Sequence, residues 1–309
     1  MQDHKVSLVS IIIPTYKRAY MLSAAIESVF KQTYPTWQLI IVDDNEPQSE
    51  HACKTSYVIN EYRKLYPFYN ILYLRHEKRK NGAAARNTGI KYATGEYIAF
   101  LDDDDLFMPN KIEKQINYIE KSERFAGVYC GREEDGRRIV SDKEGNLTEQ
   151  LLLLESFIPT STLMFKKRVF DILGGFNENY YRHQDIEFLI RYFRLFEIGA
   201  VKEVLVKIGR NNGENIPKGE ALDNIKRIFF QDFATEIDLI ESKKPGFKKK
   251  VFSNHYSQVF LRHLKTGNIR RAIKILLLSV KTSPFLFMVY SMEYTRIWLL
   301  KRFRRILLQ

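Results

Sequence analysis

Only two cysteines, Cys53 and Cys130, occur among the 309 residues. That leaves no disulfide framework and no thiolate zinc cluster, and it points to a reducing compartment. Nine Pro and fifteen Gly are too few for a fibrous or low-complexity chain. No stretch free of Lys, Arg, Asp and Glu exceeds about a dozen residues, short of the roughly 20 that a membrane-spanning helix requires. The opening MQDHKVSLVSIIIP lacks the charged, apolar and cleavage regions of a secretory signal. The expectation is a cytoplasmic protein that is not integral to a membrane. An apolar content of 45% with 13% aromatics excludes a disordered chain and supplies a core for one large domain or two modest ones.

Charge is unevenly spread. From Lys243 to Gln309 there are 16 Lys and Arg against a single acid, Glu293. This region carries +15 of a total of +12, so the first 242 residues are slightly acidic at −3. A near-neutral body with a basic end implies an anionic partner for that end, either nucleic acid or a membrane surface.

The first hundred residues alternate between two periodicities. Val9–Ile13, Leu39–Val42, Ile71–Leu74 and Tyr97–Leu101 are short apolar runs that fit strands, the first stopped by Pro14. Between them, Ala19–Gln32, Glu50–Leu65 and Gly82–Ala93 fit helices. This βαβα order predicts a mostly parallel sheet flanked by helices, with ligands bound beyond the carboxyl ends of the strands. Thr15, Asp44 and the Asp102–Asp105 quartet stand at those ends. Ala126–Gly131 is a further strand. The polar stretch Arg132–Gln150, with turns at Asp135-Gly136 and Glu144-Gly145-Asn146, predicts a hairpin. Ser161–Phe165, a helix near Asp185–Phe196 and a strand at Val201–Ile208 complete a first domain, taken as residues 1–215. Residues 216–309 read as a basic helical region with helices at Ala221–Ile240, Val251–Leu264, Ile269–Val280 and a last segment toward Gln309.

Four adjacent carboxylates at a strand end repel one another, and a hard divalent cation, Mg²⁺ or Mn²⁺, relieves that cost. The plainer reading is a solvated acidic turn before the next helix. Asp43-Asp44 can accept hydrogen bonds from a base or ribose, or simply start a turn. Gly82-Ala83-Ala84-Ala85-Arg86-Asn87 opens a helix with small residues, and Arg86 can pair with a phosphate or with the acidic cluster. Asp185, at the start of a helix, can serve as a general base or merely match the helix dipole. Neither a Walker sequence nor GxGxxG is present.

Six segments in order resemble the inverting, nucleotide-sugar-dependent glycosyltransferase family 2, with its GT-A fold. They are Val9-Ser10-Ile11-Ile12-Ile13-Pro14-Thr15-Tyr16, Ile40-Ile41-Val42-Asp43-Asp44, the Gly82–Asn87 segment, Tyr97–Asp105, Gly174-Gly175-Phe176-Asn177 and Gln184-Asp185-Ile186-Glu187-Phe188. The resemblance spans roughly residues 7–212. It implies a metal-dependent hexosyl- or N-acetylhexosaminyltransferase that uses a UDP-sugar. Pro14, Thr15 and Tyr16 would lie along the nucleoside, Asp44 would meet the base, and Arg86 would help hold the nucleotide. Asp102 and Asp104 would be the DXD pair, with Asp104 on the metal and Asp102 or Asp103 on ribose or metal. Asp185 would be the catalytic base, with Gln184 and His183 on the acceptor side. Two departures stand out. Gln184 replaces a usual Glu, and Arg210-Asn211-Asn212 replaces a usual Arg-x-His, which leaves Arg210 as the phosphate contact.

On a helix at about 100° per residue, Leu299, Leu300, Phe303, Ile306 and Leu307 share a sector of about 120°, opposite Lys301, Arg302, Arg304 and Arg305. Such a helix either lies on an anionic membrane or packs its apolar face on protein. The absence of a recognised binding module argues against nucleic acid. The resulting expectation is a peripheral enzyme on the inner face of the cell membrane. It would extend a lipid-linked surface glycan, and its helices could also meet a second copy. Two alternatives remain: an inert membrane- or polyanion-binding adaptor, and a sugar nucleotidyltransferase. The latter would need a Gly-rich basic loop after the first strand, and Pro14-Thr15-Tyr16-Lys17-Arg18 contains no Gly.

Overall fold

The computed structural model describes residues 6–209 and 217–307, with side chains up to residue 300. The chain divides into two units, Met1–Leu147 with Ile158–Asn212, and Thr148–Phe157 with Gly213–Gln309.

The first unit opens with β1 (Val9–Thr15), α1 (Ala19–Phe30), β2 (Trp37–Asp43), α2 (Glu50–Leu65), β3 (Ile71–Arg75), α3 (Gly82–Tyr92) and β4 (Tyr97–Phe100). Strands β3, β2, β1 and β4 lie side by side and parallel. Every residue of β2 is buried, and so is all of β1 except Pro14, as expected of Val/Ile runs covered on both faces. The strand continues through Pro14 to Thr15 rather than ending at the proline. β4 pairs with β1 only as far as Ile12↔Phe100, so beyond that point β1 has β2 alone beside it and a missing N–H is tolerated. The parallel register sends Thr15, Asp43 and the residues after Phe100 out of the same edge of the sheet.

The remainder of the unit is β5 (Leu106–Phe107), α4 (Lys111–Ile119), β6 (Phe125–Glu134), β7 (Arg137–Ile139), a 3-10 turn at Thr160–Thr162, β8 (Leu163–Lys166), α6 (Arg168–Leu173), α7 (Gln184–Phe193) and β9 (Glu197–Lys207). β8 runs antiparallel to both β4 and β6, whereas β6 and β9 are parallel, so the completed nine-stranded sheet is mixed. Asp135 and Gly136, at φ 51° and 71°, close the β6–β7 hairpin through two left-handed residues. The second turn makes no hairpin. Gly145 instead bridges to Ile198, and Glu144 accepts hydrogen bonds from the Tyr118 hydroxyl and Ala200 N.

Asn81 caps α3 by accepting from Ala84 N, and Ala83, Ala84, Ala85 and Gly89 are buried. A Cβ on Gly89 would stand 2.4 Å from Ile12 Cγ2, so these small residues serve the close approach of α3 to β1.

The second unit contains α5 (Thr148–Leu152), α8 (Gly219–Asp232), α9 (Ala234–Lys243), α10 (Phe247–Lys265), α11 (Ile269–Thr282) and α12 (Pro284–Leu307). The single helix expected over Ala221–Ile240 is broken at Phe233. That residue leaves helical geometry (φ −110°, ψ 18°) as its ring packs into the core against Phe229 at 5.0 Å. The segment 148–157, read as part of the first domain, belongs here because α10 holds its carbonyls. His255 Nε2 donates to Leu152 O at 2.9 Å, and the Asn254 amide donates to Leu153 O. Nε2 therefore carries the ring proton, and Nδ1 accepts from Lys226 Nζ at 3.1 Å. Burial and the Lys226 charge push the His255 pKa well down.

Lys111 is fully buried at the start of α4. Its ammonium stands 4.0 Å from the centre of the Phe107 ring and has no hydrogen-bond partner among the described residues. Burial pushes its pKa down to about 8. The unfolded chain holds this proton to about pH 10.5, so wild-type stability should rise between pH 8 and 10.5. Lys111→Met should raise unfolding stability at pH 7 by about 1–3 kcal/mol, and the gap should shrink across that window. Urea unfolding of both proteins at pH 7 and pH 10 checks this.

Candidate active site

Each carboxylate of the quartet has its own destination. Asp103 is turned inward, where Thr15 Oγ1 donates to its Oδ2 at 2.8 Å and Tyr16 N at 3.3 Å. Arg18 Nη1 spans Asp103 Oδ1 at 3.1 Å and Asp104 Oδ2 at 2.8 Å. Asp105 accepts from Ser161 Oγ at 2.5 Å and from Gly209 N at 2.8 Å, and the same Ser161 oxygen accepts from Asp102 N at 3.0 Å. Arg86 Nη2 donates to Asp102 Oδ1 at 2.5 Å. Gly209 has no room for a side chain, because a Cβ there would lie 2.1 Å from Asp104 O.

Burial pushes the Asp103 pKa up to about 6, against the pull of Arg18. Asp104 and Asp105 are also raised, first by burial and then by the Asp102 charge. Two arginines thus offset the negative charge of the cluster only in part. The Asp102 and Asp104 side chains keep 37% and 15% exposure against 6% for Asp103, so the outward oxygens are theirs. All of these donors are hard carboxylate oxygens, which fits Mg²⁺ or Mn²⁺. Among the described residues no group of three or more His, Cys, Asp or Glu is placed to hold a metal ion by itself.

Asp44 is buried at the end of β2, where its Oδ1 accepts from His76 Nδ1 at 2.7 Å and from Lys80 N at 2.8 Å. His76 Nε2 meets Thr88 Oγ1 at 2.9 Å, which links Asp44 to α3. Asp43 is structural. It accepts from Asn45 and from the Tyr73 hydroxyl at 2.7 Å, and burial raises its pKa. Pro14 and Tyr16 are half-buried beside them, with the Arg79 guanidinium 4.4 Å from the centre of the Tyr16 ring.

Asp185 is the second residue of α7, two after His183, whose φ of 61° turns the chain into the helix. Its Oδ1 accepts from Ile186 N at 2.9 Å. The carboxyl is half-exposed yet densely surrounded, and desolvation raises its pKa while Arg86 and Arg182 pull it back. Gln184 Oε1 accepts from Arg86 Nη1 at 3.0 Å, and its Nε2 donates to Tyr180 O at 2.7 Å. A glutamate at this position would have no proton for Tyr180. Glu187 is held by Arg191, which also reaches Leu173 O and Gly175 O. Asn87 exchanges hydrogen bonds with Phe176, and a Cβ on Gly175 would stand 2.0 Å from Asn87 Oδ1. The Gly82–Asn87 and Gly174–Asn177 segments are therefore two halves of one joint.

Arg86 thus ties Asp102 to Gln184, Asp103 and Arg18 tie Thr15 and Tyr16 N to Asp104, and Asp185 stands beside Gln184 with Asp44 at the neighbouring strand end. Arg210 lies outside the described residues. Arg18, His76 and Ser161 were not anticipated, and Asp105 was read as part of the acidic quartet without a role of its own. Arg18 stands beside Lys17 as one of two adjacent basic residues after the first strand, and Ser161 is a hydroxyl remote in sequence, so neither carried a local signal.

Ser161→Ala would leave both the Asp105 carboxylate and Asp102 N without their shared partner. It should cost about 2–3 kcal/mol of stability, read from denaturant unfolding, whereas exposed Ser242→Ala should cost far less.

The sequence model of Glycosyl transferase family 2 matches residues 10–205, well over half of the chain. A UDP-Glc:alpha-D-GlcNAc-diphosphoundecaprenol beta-1,3-glucosyltransferase, WfgD of Escherichia coli, is 42% identical over 115 residues, covering 37% of this chain and 42% of the relative. The amylovoran biosynthesis glycosyltransferase AmsB of Erwinia amylovora is 32% identical over 200 residues, covering 60% and 64%. The chain thus spans less than two thirds of the length of these relatives. Among solved structures, S. aureus TarS 1–349 in complex with UDP-GlcNAc superposes with a TM-score of 0.64 at 15% identity, over 93% of this chain and 91% of that one. The mannosyltransferase PcManGT from Pyrobaculum calidifontis, in complex with GDP-Man and Mn²⁺, gives 0.57 at 16% identity, over 92% and 86%. At such identities the likeness is one of fold, and it is the GT-A fold. With the ordered motifs gathered at one sheet edge and a family match along most of the first unit, the chain belongs to glycosyl transferase family 2.

Proposed function

We propose that this chain is an inverting glycosyltransferase. It would move a sugar from a nucleotide diphosphate donor, a UDP-sugar, to a hydroxyl of a growing lipid-linked surface glycan. The observation that carries the reading is the Arg86 bridge. One guanidinium holds Gln184, next to Asp185, through Nη1 and Asp102 through Nη2, so the candidate base and the acidic cluster share one rigid support. The donor class and acceptor draw support from WfgD, whose name gives UDP-Glc and a diphosphoundecaprenol acceptor, and from AmsB, named for amylovoran biosynthesis.

In this reading Asp44 meets the base, and Pro14, Thr15 and Tyr16 flank the nucleoside. Asp103 supports this wall through Thr15 and Tyr16 N. Asp104 and Asp102 would hold a divalent cation, which supplies positive charge to the departing diphosphate. Arg18, already on Asp104, is positioned to share that charge. On the acceptor side, beside His183 and Gln184, Asp185 takes the hydroxyl proton. The hydroxyl oxygen forms the new bond to the anomeric carbon from the face opposite the leaving group. The bond from that carbon to the diphosphate oxygen breaks, and its electron pair leaves with the nucleoside diphosphate. A carboxylate whose pKa burial has raised is a stronger base than a solvated aspartate.

Purified protein assayed against a panel of nucleotide sugars with Mn²⁺ should release UDP from one UDP-sugar, and EDTA should abolish that release. Absence of UDP binding by calorimetry, with Mn²⁺ present, would refute the assignment. Asp104→Asn should remove the metal dependence of UDP binding and lower turnover about 10²-fold or more. Asp185→Asn should lower kcat by about 10²–10⁴-fold with UDP affinity unchanged. Wild-type kcat should climb with pH along a limb displaced above the ordinary aspartate range, since the ionised form is active. That limb should be lost in Asp185→Asn.

A further inference from the structure

Helix α12 exposes an apolar face that no described residue covers. At about 100° per residue, Met288, Leu299, Met292, Phe285, Val289 and Leu300 fall within a sector of about 120°. All six are exposed, with Phe285 at 67% and Met292 at 66%. The opposite side is the one that packs, where Phe287 is buried against Phe260 of α10 and Tyr294 bonds to Asn254 and Gln258. Phe260 and Leu261 of α10 join the α12 face to form an apolar groove of about 730 Å³.

The charges around this face select its occupant. Arg296 stands within the stripe, and Lys265 lies 4.6 Å from the centre of the exposed Trp298 ring. The same layering recurs on α11, which contains no acid. Its exposed Ile269, Ile273, Leu277 and Val280 share a sector of about 80°, and exposed Arg270, Lys274 and Lys281 occupy the adjoining one. The region from Lys243 onward carries 16 basic residues and one acid. Two copies meeting through such a face would bring Arg296 and Lys265 of each toward those of the other, whereas an anionic lipid surface offers them phosphates of opposite charge. No helix among the described residues is long and apolar enough to cross a membrane.

We propose that the α10–α12 face is a docking surface for an anionic bilayer, with the α12 stripe entering the interface and the basic residues meeting lipid phosphates. The proposal does not rest on the reaction assigned above. Its test is co-sedimentation of the full chain with vesicles of phosphatidylcholine containing about 30% phosphatidylglycerol, against phosphatidylcholine alone. Binding is expected to the anionic vesicles only and should weaken as salt rises. The double substitution Met288→Gln with Met292→Gln should reduce partitioning roughly tenfold, with the thermal midpoint held. A second readout is Leu299→Trp, which stands within the stripe: its fluorescence should shift to the blue on anionic vesicles and be quenched by brominated lipid, over the background of Trp37 and Trp298. Failure to bind anionic vesicles overturns the proposal. Binding that ignores the double substitution, with no blue shift, overturns it in favour of adsorption by charge alone. A concentration-dependent dimer that the substitution dissolves and vesicles do not compete with assigns the face to a second copy instead.

Discussion

Four carboxylates in a row at the end of a buried strand cannot be left to repel one another, and much of the first unit is arranged around that constraint. Arg18 reaches back from the first βα turn to Asp103 and Asp104, Arg86 reaches from α3 to Asp102, and Ser161 and Gly209 close on Asp105. These partners come from four separate stretches of chain. The acidic cluster is thereby the point at which the parallel half of the sheet, the 3-10 turn and the end of β9 are tied together. The same arrangement leaves Asp102 and Asp104 with the outward oxygens and turns Asp103 and Asp105 into scaffold. Four chemically identical side chains divide into two pairs by environment alone.

The second tie is Arg86, whose two terminal nitrogens serve different elements. Its hold on Gln184 depends on where α7 begins, and that depends on the loop through Gly174–Phe176, which Asn87 and Arg191 pin from opposite sides. Gln184 fits this role as an amide in particular, accepting from Arg86 and donating to Tyr180 O. Its neutrality also keeps one more negative charge away from Asp185, whose carboxyl is already desolvated.

The second unit follows a different logic. Its interior is rich in polar groups: His255 with Lys226, His263 with Asp223, and Asp223 with Arg271. Buried polar groups fix register more sharply than apolar contacts do, because each must meet its own partner. They hold α5 and α8 on α10 and α11, and they leave the outer face of α12 to the apolar residues that no described residue covers.

Much of this was legible along the chain. The Val/Ile runs, the three intervening helices and the parallel order followed from periodicity, since a strand covered on both faces must be apolar throughout. The motif residues at the strand ends followed from the same order, because parallel strands deliver their carboxyl ends to one edge. Other features were not legible. Pro14 inside β1, the break at Phe233 and the allegiance of residues 148–157 depend on which neighbours stand alongside, and no window of sequence contains them. The partners of the acidic quartet were hidden for the same reason: Arg18, Ser161 and Gly209 lie about 50 to 100 residues from the carboxylates they satisfy. The sequence by itself determined the elements, their order and the chemistry present at the sheet edge. Tertiary structure decided which of those identical carboxylates face outward and which are sealed, because burial and hydrogen bonding act through space rather than along the chain.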